Sequence, residues 1–319
     1  MAIIKVEIPP SLFVHESPGG YFHRVGSTKR EMAPDHLARL FQQRSQAGII
    51  RFDEQVVPGA TLEELTPPLW ERFRTERTRD TRDDSLVKLG MARRDETGIL
   101  RPTVTGILMA NETPEDWLPN AYIQAVAYRG VTARSTVEAG PVSIGCPRYP
   151  RASGCPDHGG MPFHGTQHAH LMATKEEGRK DIPQFHMTAV FEAMVNAVAH
   201  RDYSMHGARI RLRLFADRLE LSSPGSFPNT MTVDSLPYRQ AARNEAVTSL
   251  LAKCPVPWNG PSRHGARRSA GIWTNRGTMM DKRGEGVRVI LDSSEHLSGK
   301  RPEYRLIDEA ELLLVIYGT

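Results

Sequence analysis

Glu192, Asn196 and His200 lie four residues apart, one above the other along a single face if the chain around them is helical. Val190, Phe191, Met194, Val195 and Val198 then centre about 170° away at 100° per residue, so the polar and apolar sets take opposite faces. Ala189, Ala193 and Ala199 fill out the polar side, and no Lys or Arg enters before Arg201. A solvated helix face would carry long charged side chains. A carboxylate, an amide and an imidazole among small residues instead suit a face kept for a ligand. The bland alternative is a polar stripe that is merely wet, so the surrounding elements must decide.

Those elements come in a definite order. Gly207 to Phe215 alternates apolar and basic residues as a half-buried strand does. Ala216-Asp217 forms a turn, Asp217 to Ser222 alternates again, and Ser223-Pro224-Gly225 ends the second strand. Near the end, Glu303 to Asp308 and Glu311 to Tyr317 read as two strands joined at Glu309-Ala310. The apolar run Leu312 to Ile316 suits a strand covered on both faces.

Four segments in this order carry a resemblance: EAMVNAVAHRDYS from Glu192, FADRLELSSPGSFP from Phe215, RNEAV from Arg243 and RGEGV from Arg283. They resemble the ATP-binding domain of bacterial and archaeal Schlafen AlbA-domain transcriptional regulators, often labelled RecG-like. That domain is similar to the GHKL (Bergerat) ATPase fold of gyrase, MutL and sensor histidine kinases. The likeness covers residues 181 to 250 and 278 to 317 and extends more loosely over 1 to 140.

The resemblance implies ATP and Mg²⁺ as cofactors. Glu192 would hold or polarise the attacking water, and Asn196 would be a ligand of the Mg²⁺ that bridges the phosphates. That donor set is chemically sound, because Mg²⁺ takes hard oxygen ligands and keeps several waters, and a carboxylate one turn away can orient or deprotonate water. His200 and Arg201, at the helix end, would help hold phosphate. The loop at Ser223 and Gly225 would pass beneath the adenine, and Gly284 and Gly286 would present backbone N–H groups to phosphate. One departure stands out: relatives carry Asn before the Pro-Gly and GHKL proteins use an Asp in that loop, whereas this chain has Ser223. A shorter partner there weakens the expectation of adenine selectivity.

Composition agrees with a globular protein of two domains: 319 residues, 39% apolar, 24% charged, net charge +4 and pI near 9.0. No run of about 18 apolar residues is present, so no membrane helix is expected. The opening Met1 to Pro10 lacks the apolar core of a signal peptide, and three cysteines make no disulfide framework, which together point to the cytoplasm. The basic balance permits contact with DNA. No GxxxxGK[ST] phosphate loop occurs anywhere, which speaks against a helicase motor.

The N-terminal part reads as mixed α/β: strands at Ile3 to Ile8 and Gly20 to Ser27, then a helix from Pro34-Asp35 through Arg44. Tyr21 to Arg30 with that helix resembles the second half of an AlbA-type domain, so a truncated domain is expected and no nuclease activity. Residues 62 to 110 suggest helices at Leu69 to Arg77 and Ser85 to Leu89, then a strand pair turning at Thr97-Gly98 into Ile99 to Ala110. A winged-helix arrangement fits this order, with Arg72, Arg74, Arg77, Arg79 and Arg82 facing DNA. The simpler account is a solvated surface, since Glu71, Glu76, Asp80, Asp83 and Asp84 interleave.

Two intervals match neither domain. Residues 141 to 171 hold five Pro, five Gly, four His and two Cys without Lys or Glu, and 255 to 277 hold three Pro, four Gly, four Arg and two Trp without Asp or Glu. Cys146, Cys155, His158 and His164 invite a zinc reading, but their spacing matches no standard finger. The composition is that of a G+C-rich gene read out of frame. Compensating frameshifts that replaced a connector and the lid over the phosphates are the preferred explanation.

The expected architecture is α/β and α+β: a truncated AlbA-like domain over 1–60, a mixed segment over 61–140, an irregular connector over 141–180, and a GHKL-like α/β sandwich over 181–319 with an altered lid at 255–277. The expected function is an ATP-binding transcriptional regulator with possible weak Mg²⁺-dependent hydrolysis. The alternatives are a DNA-processing ATPase and a degenerate fragment that binds nothing.

Overall fold

The computed structural model describes residues 14, 16–44, 51–75, 79–128, 130–133, 136–142, 184–227, 231–255, 277–281, 283–308 and 310–319. The strand expected at Ile3 to Ile8, the zinc candidates, and all but the margins of the two compositionally odd intervals lie outside these residues.

A hairpin of β1 (Phe22–Val25) and β2 (Thr28–Glu31) opens the described chain, followed by α1 (Pro34–Arg44). Single turns of 3-10 helix at Phe52–Glu54 and Leu62–Glu64 lead to α2 (Pro67–Glu71) and α3 (Arg82–Lys88). The short β3 (Ala92–Arg94) and β4 (Leu100–Pro102) pair antiparallel across the Thr97-Gly98 turn, where Gly98 takes φ +81°. The strand expected from Ile99 to Ala110 stops early. Thr103 accepts from the Gly106 amide at 3.0 Å and starts helix α4 (Val104–Ala110) in its place. A hydroxyl at an N-cap outweighed the run of strand-compatible residues after it.

Helix α4 sits tightly on the hairpin. A Cβ on Gly106 would lie 2.1 Å from the Met91 carbonyl oxygen, a backbone atom held by the Thr103 amide at 2.9 Å. Gly106→Ala should therefore cost about 1–3 kcal/mol through forced displacement of α4. Urea unfolding reads this out, and a parental midpoint would mean that α4 slides freely off Met91.

Short helix α5 (Pro114–Trp117) leads into one six-stranded mixed sheet. Its strands are β5 (Ile123–Tyr128), β6 (Thr136–Val142), β7 (Ile210–Leu214), β8 (Arg218–Pro224), β9 (Glu303–Ile307) and β10 (Glu311–Tyr317). The spatial order is β6-β5-β7-β8-β10-β9, antiparallel except where β5 runs parallel to β7. Strands from the segment before residue 142 thus share a sheet with the C-terminal ones. The expected hairpins at 207–222 and 303–317 both form, and in β10 the consecutive residues Leu314, Val315 and Ile316 are buried.

Helix α6 (Met187–His200) packs on β8, on α7 (Glu245–Leu251) and on α8 (Gly286–Ser298), and α8 also meets β10. One continuous core runs from Val57 and Trp70 through α4 and α6 to Ile316. The described residues from 14 to 41 contribute no buried side chain to it. Cys254, after α7, is fully buried. No helix among the described residues is long and apolar enough to cross a membrane.

Candidate functional site

The helix expected around Glu192 forms, but both of its sides are covered. Residues 189 to 199 are buried apart from half-exposed Asn196. The small residues on the polar side do not leave it open; they let α8 approach. Gly286, the first residue of α8, comes so close that a Cβ would lie 2.1 Å from Glu192 Oε1 and 2.9 Å from Asn196 Nδ2. A side chain at 286 would push the ends of Glu192 and Asn196 aside.

Three residues from two elements therefore meet at one point. Glu192 is 2% exposed, so its carboxylate is withdrawn from bulk water, while the Asn196 amide nitrogen points back at Glu192 Oε1 at 3.4 Å. That orientation leaves Oδ1 of Asn196 as the atom a hard cation would take. The N-terminus of α8, with the positive end of its dipole, lies against both. The N-cap residue Glu285 makes no side-chain capping bond. A carboxylate, an amide oxygen and a helix N-terminus suit a Mg²⁺-bound polyphosphate.

The remaining expected residues are distributed less simply. His200 is half-buried at the end of α6, and its pKa falls to about 4 through burial, reinforced by the charge of Arg243. At that value the imidazole is neutral near pH 7. Arg201 is 3% exposed; it donates to the Ala208 carbonyl at 2.8 Å and lies 4.7 Å over the Tyr203 ring. Its guanidinium holds the turn into β7. Ser223 donates its hydroxyl to the Ala197 carbonyl of α6 at 3.2 Å. Gly225 takes φ +119°, and the backbone that approaches it closely belongs to Asp202, whose nitrogen a Cβ would meet at 3.3 Å. Gly284, at φ +74°, lies against Gln240, whose Oε1 would stand 2.9 Å from a Cβ.

A second group went unrecognised as functional in the sequence, although its residues stand in the quoted HRD and RNEAV segments. Asp202 Oδ2 accepts from Arg243 Nη1 at 3.2 Å, and both side chains are at least nine-tenths buried. Asp202 Oδ1 accepts from the Ser204 amide and hydroxyl, and Arg243 donates further to the Ser226 carbonyl beside Gly225. Asn244 donates to the carbonyls of Ala199 at 3.0 Å and Arg201 at 2.8 Å, while the Tyr203 hydroxyl donates to Val198 at 3.0 Å. These bonds satisfy the orphan carbonyls that end α6 and fix where the Glu192 helix stops. Charge reversal within HRD and the adjacent Arg-Asn pair were the only local signals, and neither says that the two segments meet.

Among the described residues no cluster of three or more His, Cys, Asp or Glu could hold a metal by itself, so Mg²⁺ here would depend on phosphate oxygens together with Asn196. Of the arginines between residues 72 and 82, three donate to backbone carbonyls: Arg72 to Leu69, Arg74 to Asp80 and Arg82 to Leu62.

Comparison with known proteins bears on the fold and the C-terminal half. No curated protein matches the chain. Among solved structures, the DIP2311 protein from Corynebacterium diphtheriae matches with a TM-score of 0.54 at 19% identity, over 93% of this chain and 52% of that one. The chain thus spans about half the length of that protein, and the likeness establishes the mixed α/β fold alone. Residues 207–316, which include Ser223, Gly225, Gly284 and Gly286 but not α6, match the family model described as "Putative ATP-dependent DNA helicase recG C-terminal". Over that stretch the chain carries an ATPase-like domain similar to the RecG C-terminal family.

Proposed function

We propose that this protein is an ATP-binding transcriptional regulator, in which Mg²⁺-ATP held at the junction of α6 and α8 biases how the N-terminal region engages DNA. The observation that carries the reading is the meeting of Glu192 and Asn196 with Gly286, the first residue of α8, beside an ATPase-like domain. Asn196 would hold Mg²⁺ through Oδ1, and the ion would supply charge neutralisation of the phosphates. The N–H groups of Gly286 and its successors would face phosphate oxygen, and the Gly284 turn aims them. Glu192, dry and adjacent, would orient a water for attack and take its proton. The adenine would meet the Ser223–Gly225 loop with no carboxylate from Ser223, so selectivity for adenine over other bases is expected to be weak.

DNA contact belongs in this reading to the exposed β1–β2 hairpin and to the basic 72–82 segment, with the cytoplasm as the compartment. Calorimetric titration of the full chain with ATP, with and without Mg²⁺, tests the nucleotide half. Asn196→Ala should weaken Mg²⁺-dependent ATP binding by about 10- to 100-fold and leave the unfolding midpoint near the parent's, because the side chain is half-exposed and makes one long hydrogen bond. Parental affinity in that variant would remove Asn196 from the site. Salt-dependent binding of duplex DNA tests the other half. ATP-driven strand separation would instead favour the DNA-processing ATPase, and a folded chain that binds neither ligand would be an inert relative.

A further inference from the structure

Asp53 has no part in the site described above, yet it is the most deeply buried carboxylate among the described residues, with 0% exposure. Its Oδ2 accepts from the Ala246 amide at 2.9 Å, and its Oδ1 is buried without a hydrogen-bond partner. Ala246 is the second residue of α7. The residue that would ordinarily cap this helix, Asn244, makes no capping bond because its amide is turned to the last carbonyls of α6. Helix α7 is thus capped by a carboxylate 193 residues away in sequence.

The consequence lies in what the neighbouring residues touch. Arg243 grips Asp202 and the Ser226 carbonyl beside the Gly225 loop. Asn244 holds the end of the helix that carries Glu192 and Asn196. Glu245 pairs with Arg51 at 2.7 Å, and Ala246 bonds to Asp53. Four consecutive residues therefore join the nucleotide side to the 51–57 segment. That segment is anchored in turn to α4 through the Thr105 hydroxyl on the Asp53 carbonyl at 2.8 Å and the Val104 amide on the Gln55 carbonyl at 2.9 Å. The Arg51–Glu245 pair is half exposed and contributes little by itself. The dry Asp53–Ala246 bond is the firm part of the joint.

We infer that Asp53 is a positioning residue for the nucleotide site: by capping α7 from the N-terminal module, it frees Asn244 to hold α6 and couples that module to ATP binding. This rests on the reading of the α6–α8 junction as an ATP site. The groups around Asp53 are the α7 amides, Glu245 and Arg51 at the rim, Glu54 on its own turn and Tyr203 beneath. Burial raises its pKa to about 6, partly opposed by the Ala246 amide and reinforced by Glu54. The sign follows: the buried anion is disfavoured, so this group supports the fold fully at low pH and that support is lost as pH rises through about 6. The charge-assisted bond to α7, however, exists only above that point. Coupling through the joint is therefore strongest at pH 8 and weakest at pH 5.

Asp53→Asn keeps the shape and the acceptor oxygen and imitates the protonated form. Calorimetric titration of parent and variant with Mg²⁺-ATP at pH 5 and pH 8 tests the inference, since taking the ratio of the two affinities cancels the titration of ATP itself. The expected ratio is near one at pH 5, with the variant about fivefold or more weaker at pH 8. A ratio near one at both pH values, or an equal loss at both, would overturn the inference while leaving the ATP site standing. If the folded parent binds no ATP, the site reading fails and this inference falls with it. Should Asp53→Asn not fold, hydrogen exchange of the Ala246 amide in the parent decides at pH 8. Slower exchange with Mg²⁺-ATP supports the joint, and unchanged exchange overturns it.

Discussion

Glu192→Gln should bind Mg²⁺-ATP as the parent does and release phosphate about 10²- to 10⁴-fold more slowly. The glutamine fits the same space beneath Gly286, so α8 need not move and the helix N-terminus keeps its place. What the substitution removes is the group able to accept a proton from water. Because Glu192 is 2% exposed, bulk water cannot readily take over that task. Phosphate release at saturating ATP, set beside calorimetric affinity, separates turnover from binding. Equal turnover in both proteins would assign the base elsewhere. A parent that binds ATP and releases no phosphate would make the domain a sensor, with Glu192 shaping the cradle only.

Arg243→Met should destabilise the fold by about 3–5 kcal/mol. The side chains of Arg243 and Asp202 are 5% and 10% exposed, so removal of the cation strands a carboxylate in a dry setting. Asp202 retains its bonds from Ser204, which soften the loss, but the Ser226 carbonyl also loses its donor. Urea unfolding measures the cost, and Asp202→Asn in the same chain should recover part of it, since a neutral amide tolerates the site better than an unpaired anion. Additive losses in the double variant would show that the pair is not a functional unit. Burial also presses the Arg243 pKa down while Asp202 pulls it up, as expected of a desolvated pair held by mutual attraction.

Much of the local structure was legible in sequence. The spacing of Val190, Phe191, Met194, Val195 and Val198 announces α6, and the alternation in 207–222 and 303–317 announces the two hairpins. Periodicity suffices there because each element repeats its burial pattern along its own length. It failed at Thr103, where one hydroxyl ended a strand and began a helix, and on the polar side of α6. Alanines at 189, 193 and 199 are as compatible with a helix crossing closely above as with a ligand, and only the position of Gly286 distinguishes them.

By itself the sequence determined α6 and the two C-terminal hairpins, the placing of Glu192 and Asn196 one turn apart, and the likeness to an ATPase-like domain. Tertiary structure alone decided that α8 covers that face, that β5 runs parallel to β7 within the same sheet, and that Asn244 and Asp53 complete helix ends far from them in the chain. It also decided that burial presses the His200 pKa down and that Arg201 holds a turn. The physical reason is common to all of these. A helix or hairpin is specified by residues within a few positions of one another. Burial, the pairing of charges and the capping of a helix from a distance depend on which surfaces meet, and that meeting leaves no periodic trace along the chain.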